Sequence, residues 1–330
     1  MLYIEYKTLD GIKNTIWIES DLSYGKWLKY HDDDQKYVYE SVSKKILKKI
    51  KRPEQIRDIY CCNGEDEITD INLNNFINLR KLISVGYLQN IDRSLTQLTK
   101  LDSIKYTSNT SSINGCNLTK SVVLKQAIIQ HTYIHDLNGL YGVNMLVKLD
   151  VSQNEYLRSL KGIERCINLK SFSCENCSIK SVKELSALTS LKELSIRNNM
   201  IKKIKCLSKL VNLEIFDCSD NEICSLNGIE NMEKIEIFGC YMNHITSINP
   251  VKKLPNIYRF THDKMDSVTM DINMLLNNGK FNITSEVLEF DRLYKLLSSD
   301  EIDSLHEYIK NKEDVLIKHN YTNFISSEYF

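Results

Sequence analysis

Two spacings in this sequence could carry metal or redox chemistry. Cys174-x-x-Cys177 has the separation of a zinc-ligand pair or a dithiol redox motif. His131-x-x-x-His135 would stack two imidazoles one turn apart if the segment were helical. Each pair is incomplete. A zinc site needs a second ligand pair at suitable spacing, and none follows Cys177. The sequence also lacks a nucleophile elbow, a His-Glu-x-x-His pair, a P-loop and a dinucleotide-binding glycine pattern with its ribose-binding acid. The expectation is a non-enzyme with no catalytic residue, no cofactor and no resident metal.

The elements that hold these residues explain them better. Leu124, Leu146, Leu169, Leu191, Leu213 and Ile235 stand 22 or 23 residues apart. Counted from each, positions 1, 4 and 6 are apolar in all six units, while positions 2, 3, 5, 7 and 8 are mostly polar. Alternation over positions 3 to 7 predicts a short strand with positions 4 and 6 turned inward. Apolar residues at positions 11, 14, 17 and 20 step by three, as in Ile201, Ile204, Leu207 and Leu210. That step predicts a 3₁₀ or short helical return with one inward face. No single unit can bury both faces, so neighbours must stack into a continuous core.

Position 9 is Asn109, Asn154, Asn199, Asn221 or Asn243, with Thr132 and Cys177 as substitutes. After the strand the chain turns and strands backbone groups inside. A carboxamide both donates and accepts, so it can satisfy them. In this register Cys174 is an inward strand residue and Cys177 an Asn substitute, so the Cys-x-x-Cys pair reads as core. Cys61, Cys218 and Cys240 share the inward column of Cys174. His131 and His135 straddle a strand end and a turn, which separates them.

This pattern resembles the leucine-rich repeat, in its 22-residue subclass. Bacterial internalins and the nuclear regulatory subunit of protein phosphatase 1 are members of that subclass. The resemblance is strong from Leu124 to about Ile257 and weaker upstream, through Leu101/Ile104, Leu79/Leu82 and Ile56/Ile59. It implies an α/β right-handed solenoid of about nine to ten repeats with a concave parallel sheet. Ten strands would give a sheet roughly 43 Å long.

The solenoid is expected over residues 56–264, between two caps. Residues 1–55 read as a hairpin around Asp10-Gly11 followed by a helix from Tyr37 to Lys51. Residues 265–330 read as a helical, acidic cap, with helices over 290–297 and 301–309. Formal charge is zero overall, with 43 basic and 43 acidic residues. That balance argues against a nucleic-acid binder or a polybasic membrane clamp. Met1–Tyr6 lacks the basic-then-apolar order of a secretory signal, which predicts a cytoplasmic protein with reduced thiols.

The resemblance implies a protein-interaction scaffold, a monomer that binds a protein partner on its concave face. A phosphatase-regulatory adaptor, or an effector with activity in a terminal segment, is the alternative. Outward positions are polar in the middle units and turn apolar in the later ones. Ile215, Asp217, Ile237, Tyr241, Met242 and Arg259, with Arg197 beside them, form the expected partner site. Tyr and Arg next to exposed aliphatics are the composition of an interface hot spot.

Overall fold

The inward columns of the repeat line up into one sheet. The computed structural model describes residues 2–19, 26–31, 36–41, 52–62, 73–85, 91–107, 117–257 and 259–261. Ten strands run parallel in chain order: β5 (Ile56–Cys62), β6 (Lys81–Val85), β7 (Ser103–Thr107), β8 (Gln126–Gln130), β9 (Lys148–Asp150), β10 (Ser171–Ser173), β11 (Glu193–Ser195), β12 (Ile215–Asp217), β13 (Ile237–Gly239) and β14 (Arg259–Thr261). Each pairs with the next at the same repeat position: Phe172 faces Leu194, Leu194 faces Phe216, and Phe216 faces Phe238. The expected solenoid of about ten repeats is therefore present as an open sheet.

Position 4 runs from Ile59 to Phe260 and is buried throughout. Phe216, Phe238 and Phe260 stack there with ring centroids 5.5 and 5.6 Å apart. The returns use the step of three directly. The Leu207 N–H donates to Ile204 O at 2.8 Å, and the Leu210 N–H donates to Leu207 O at 2.8 Å. Each three-residue turn delivers one leucine to the core. Most returns are 3₁₀ turns rather than α-helix; the one α-helix among the described residues is a single turn, α1 (Ile91–Leu95).

The position-9 asparagines join one unit to the one before it. Asn199 Nδ2 donates to Cys174 O of the preceding unit and to Ile196 O and Arg197 O of its own. Its Oδ1 accepts the Ile179 N–H at 2.9 Å. Asn221 and Asn243 repeat this set. Cys177 stands where the set is not needed. Its preceding unit carries one extra residue, and there the Leu157 N–H already donates to Asn154 O at 2.9 Å. The thiol only donates weakly to Val151 O and Glu175 O, each at 3.4 Å. Asn109 lies outside the described residues.

A second ladder escaped the sequence reading. Asn78, Asn168, Asn212 and Asn256 each precede a position-1 residue. Each donates its amide to a carbonyl of the preceding unit, at 2.7, 2.8, 2.9 and 2.7 Å. The repeated Asn-Leu or Asn-Ile pair was its signal. Position 8 was also missed. His131, Gln153, Asn176, Asn198, Asp220 and Met242 all hold positive φ, between 51° and 62°. The chain turns out of each of these six strands, β8 to β13, through one left-handed residue.

At the N-terminal side, β1 (Leu2–Thr8) pairs antiparallel with β2 (Lys13–Glu19) and, on its other edge, with β5. The backbone groups of β5 that a parallel neighbour would leave open are taken up by β1, which is how an edge is protected. The sheet continues through β3 (Lys26–His31) and β4 (Lys36–Ser41). The helix expected from Tyr37 is corrected here: its first residues are strand β4. The run Tyr37-Val38-Tyr39 is aromatic and β-branched, which suits a pleated surface paired along β3. Residues 42–51 of that helix, and all of 265–330, lie outside the described residues.

Candidate functional site

Two residues of each strand from β8 to β13, at positions 3 and 5, point away from the core, and positions 7 and 8 follow at its end. They build one continuous face. In the middle units this face is closely knit. Ser152 and Ser173 share a hydroxyl hydrogen bond of 2.8 Å. The Ser195 hydroxyl donates to Glu175 Oε1 at 2.7 Å. Gln130 Nε2 donates to Asp150 Oδ2 at 2.7 Å. Ser152, Ser171, Ser173 and Ser195 were expected to present an open polar surface, but they are buried. Small hydroxyl side chains on strands in direct register are covered by their larger neighbours.

Carboxylates gather beyond β9. Burial lifts the Glu175 carboxyl above its ordinary range, and the nearby charges of Asp217 and Asp150 add to the lift, against the Ser195 hydrogen bond and Arg197. Arg197 sits between these acids. Its Nε donates to Asp220 Oδ2 at 2.9 Å. Partial burial works against its charge, yet Asp220, Asp217 and Glu175 hold its guanidinium above the usual value. Arg197 and Asp217, both expected at a partner site, thus belong to one charged network. Gly239 faces Asp217 across the strands, and a side chain there would meet its Oδ1 at 2.8 Å.

The apolar members come together as expected. Ile215 faces Ile237, and Ile237 faces Arg259, in neighbouring strands. Both isoleucines are half-buried. Tyr241 and Met242 follow at the end of β13, 39% and 54% exposed. Arg259 opens β14, and its side chain lies outside the described part. The sequence register placed these residues on one face.

Met242 is the one apolar member of its column among the described residues. Left-handed backbone suits Asn and Asp, and costs other side chains about 1 kcal/mol. Five repeats supply His, Gln, Asn, Asn and Asp at this place; the sixth supplies an exposed Met. Met242→Asn is expected to raise stability by about 1 kcal/mol in urea unfolding. A fall in stability would show that Met242 is held by packing instead.

Neither early chemical candidate forms a centre. Cys174 is fully buried, and burial pushes its thiol well above the usual value. Burial likewise pushes Cys177 up to about 12. A ligand or redox thiol needs the reverse. His131 and His135 are both exposed on a non-helical turn, and His135 makes an edge contact with Tyr156. Among the described residues no cluster of His, Cys, Asp or Glu could hold a metal. No helix among them is long and apolar enough to cross a membrane.

Comparison with known proteins agrees with this geometry. The family pattern "Leucine Rich repeats (2 copies)" matches residues 167–209 and 189–231. No curated protein sequence matches the chain. An internalin from Listeria monocytogenes has a similar structure, with TM-score 0.62 at 20% identity, over 74% of this chain and 69% of that one. A leucine-rich repeat protein from Leptospira interrogans gives TM-score 0.54 at 17% identity, over 74% and 69%. The leucine-rich repeat ectodomain of the receptor kinase GASSHO1/SCHENGEN3 from Arabidopsis thaliana gives TM-score 0.52 at 17% identity, over 64% and 30%. At these identities the likeness is one of fold.

Proposed function

We propose, from the premise that this chain is a leucine-rich repeat protein, that it is a binding scaffold whose outward strand face captures a protein partner. Leucine-rich repeat proteins are generally protein-interaction scaffolds, and the exposed apolar residues at one end of the face support capture there. The observation that carries the reading is Met242: an exposed apolar side chain held at φ 52° beside exposed Tyr241, next to the half-buried pair Ile215 and Ile237. A strained, exposed residue costs stability, and such positions persist where function uses them. Behind them the stacked Phe216, Phe238 and Phe260 make a rigid support. A preformed surface loses little ordering entropy on binding. No bond-making chemistry is assigned to it.

The test is affinity capture from the source cells, followed by mass spectrometry. A protein retained by the full chain should be lost on Tyr241→Ala and weakened on Arg259→Ala, by roughly thirtyfold for a hot-spot residue. Lys120→Ala, in a return segment, should keep it. Equal capture by Tyr241→Ala and the unchanged chain would sink the proposal.

A further inference from the structure

The other end of the same face carries a different chemistry. Lys13, Lys7, Asp58 and Lys81 form one row across β2, β1, β5 and β6, each directly opposite the next. Lys7 and Lys13 are thus like charges in facing positions, which is unfavourable in the empty protein. The row's single carboxylate is already engaged. Arg57 donates to Asp58 through Nε at 3.1 Å and Nη2 at 2.8 Å. Arg80, just before β6, extends the cluster, and Lys81 Nζ lies 5.4 Å from the centre of the Tyr60 ring. These side chains line an open cleft of about 560 Å³ together with Asp102, whose carboxylate pairs with Lys125 at 3.3 Å. Lys7, Lys13, Arg80 and Lys81 have no ion-pair partner among the described residues.

We infer that this cleft binds a short acidic peptide segment of the partner protein. The inference rests on the proposed scaffold function and names the chemistry of one end of the ligand. Anion binding there would relieve the Lys7–Lys13 repulsion. The neighbouring surface limits the length of the anion. Lys105 on β7 and Lys148 on β9 continue the basic side, but from Asp150 to Asp220 the acidic outward residues Glu175, Glu193, Asp217 and Asp220 outnumber the one cation, Arg197, which Asp220 already pairs. From Lys13 on β2 to Lys148 on β9 is six strand spacings, about 29 Å, or roughly nine extended residues, so a six-residue acidic run fits within it. A long polyanion such as a nucleic acid would run from the cations straight onto the carboxylates, so a brief acidic run fits and a continuous phosphate backbone does not.

The test is fluorescence anisotropy of labelled hexaglutamate on the full chain at low salt. Saturable binding that weakens with added salt is expected, and a loss of at least tenfold on the double change Arg80→Glu and Lys81→Glu. The milder pair Arg80→Gln and Lys81→Gln should give a smaller loss with the thermal midpoint unchanged. The double change Lys203→Glu and Lys209→Glu, an equal charge change in an exposed return segment, should leave binding intact. Absence of binding, equal binding by the Arg80/Lys81 double variants, or displacement of the peptide by a long single-stranded DNA in preference to unlabelled hexaglutamate would each overturn the inference. Tyr241→Ala keeps the cleft, so it should bind hexaglutamate normally. If Tyr241→Ala also retains the captured partner, the scaffold site fails while the cleft stands.

Discussion

Asn221→Ala should lower the unfolding free energy by about 3 to 4 kcal/mol, read as a shift of the urea midpoint. The carboxamide donates to Ile196 O, Cys218 O and Ser219 O and accepts the Ile201 N–H. All three carbonyls keep a second partner: Ile196 O also takes Asn199 Nδ2, Cys218 O also takes Asn243 Nδ2, and Ser219 O also takes the Asn198 N–H at 3.0 Å. The Ile201 N–H, which has no other acceptor, loses most, and three buried carbonyls each lose one of two donors. A buried group left unpaired costs about 1–3 kcal/mol. The effect spreads because Asn221 ties its unit to the one before, and a solenoid's stability is a sum over such interfaces. Cys177→Ala is the internal control. Its thiol makes only two weak 3.4 Å contacts, and the backbone N–H it would otherwise serve already has Asn154 O. That change should cost about 1 kcal/mol, chiefly lost packing. Equal losses for the two variants would mean that the ladder contributes by volume and not by hydrogen bonding.

The same comparison shows what the sequence could and could not reveal. Columns repeat, so a residue's position in the unit fixes its side of the sheet. The burial of Cys174, Cys218 and Cys240 and the grouping of Ile215, Ile237, Tyr241 and Met242 followed from counting alone. Backbone angles leave a fainter trace. Position 8 is left-handed in six described repeats, yet its residues vary from Asn to Met, because an exposed turn tolerates the cost in one repeat. Strand β4 was misread because Val38 and Val42 satisfy a helical step as well as an alternating one, and only pairing with β3 decides. The basic row was invisible for another reason. Lys13, Lys7, Asp58 and Lys81 belong to four strands whose order across the sheet, β2-β1-β5-β6, is not their order in the chain. The repeat register begins only at β5, so it has no means of placing β1 beside it.

Face and core therefore obey different constraints. The outward side changes from basic near β1 and β6, through acidic around Asp150 to Asp220, to apolar at Ile237 and Met242, while the inward columns barely change. An extended partner matched to that order would meet three distinct surfaces in a fixed sequence. Orientation along the sheet would then be set by charge at one end and by apolar contact at the other, which is how electrostatics contributes specificity more than affinity.

The tightest tolerance lies in the returns, and Gly162→Ala should expose it with a loss of about 3 kcal/mol or more. Two causes combine there, and a second glycine separates them. Gly142 has φ +92°, but an added Cβ would meet nothing nearer than Thr119 O at 3.7 Å. Gly142→Ala should therefore cost only the left-handed backbone penalty, about 1–2 kcal/mol. Gly162 has φ +110° and presses on the preceding unit, where a Cβ would stand 2.1 Å from Leu137 O and 2.3 Å from Leu137 C. Those atoms are backbone and cannot rotate away. Relief requires the two returns to separate, which strains the 3.0 Å bond from the Leu137 N–H to Lys161 O. It also opens the core between Leu137 and Leu160, both wholly buried. The two variants compared by thermal unfolding should differ by at least the clash contribution. If they lose stability equally, the units can move apart without penalty, and the close stacking of successive returns is not what holds this solenoid together.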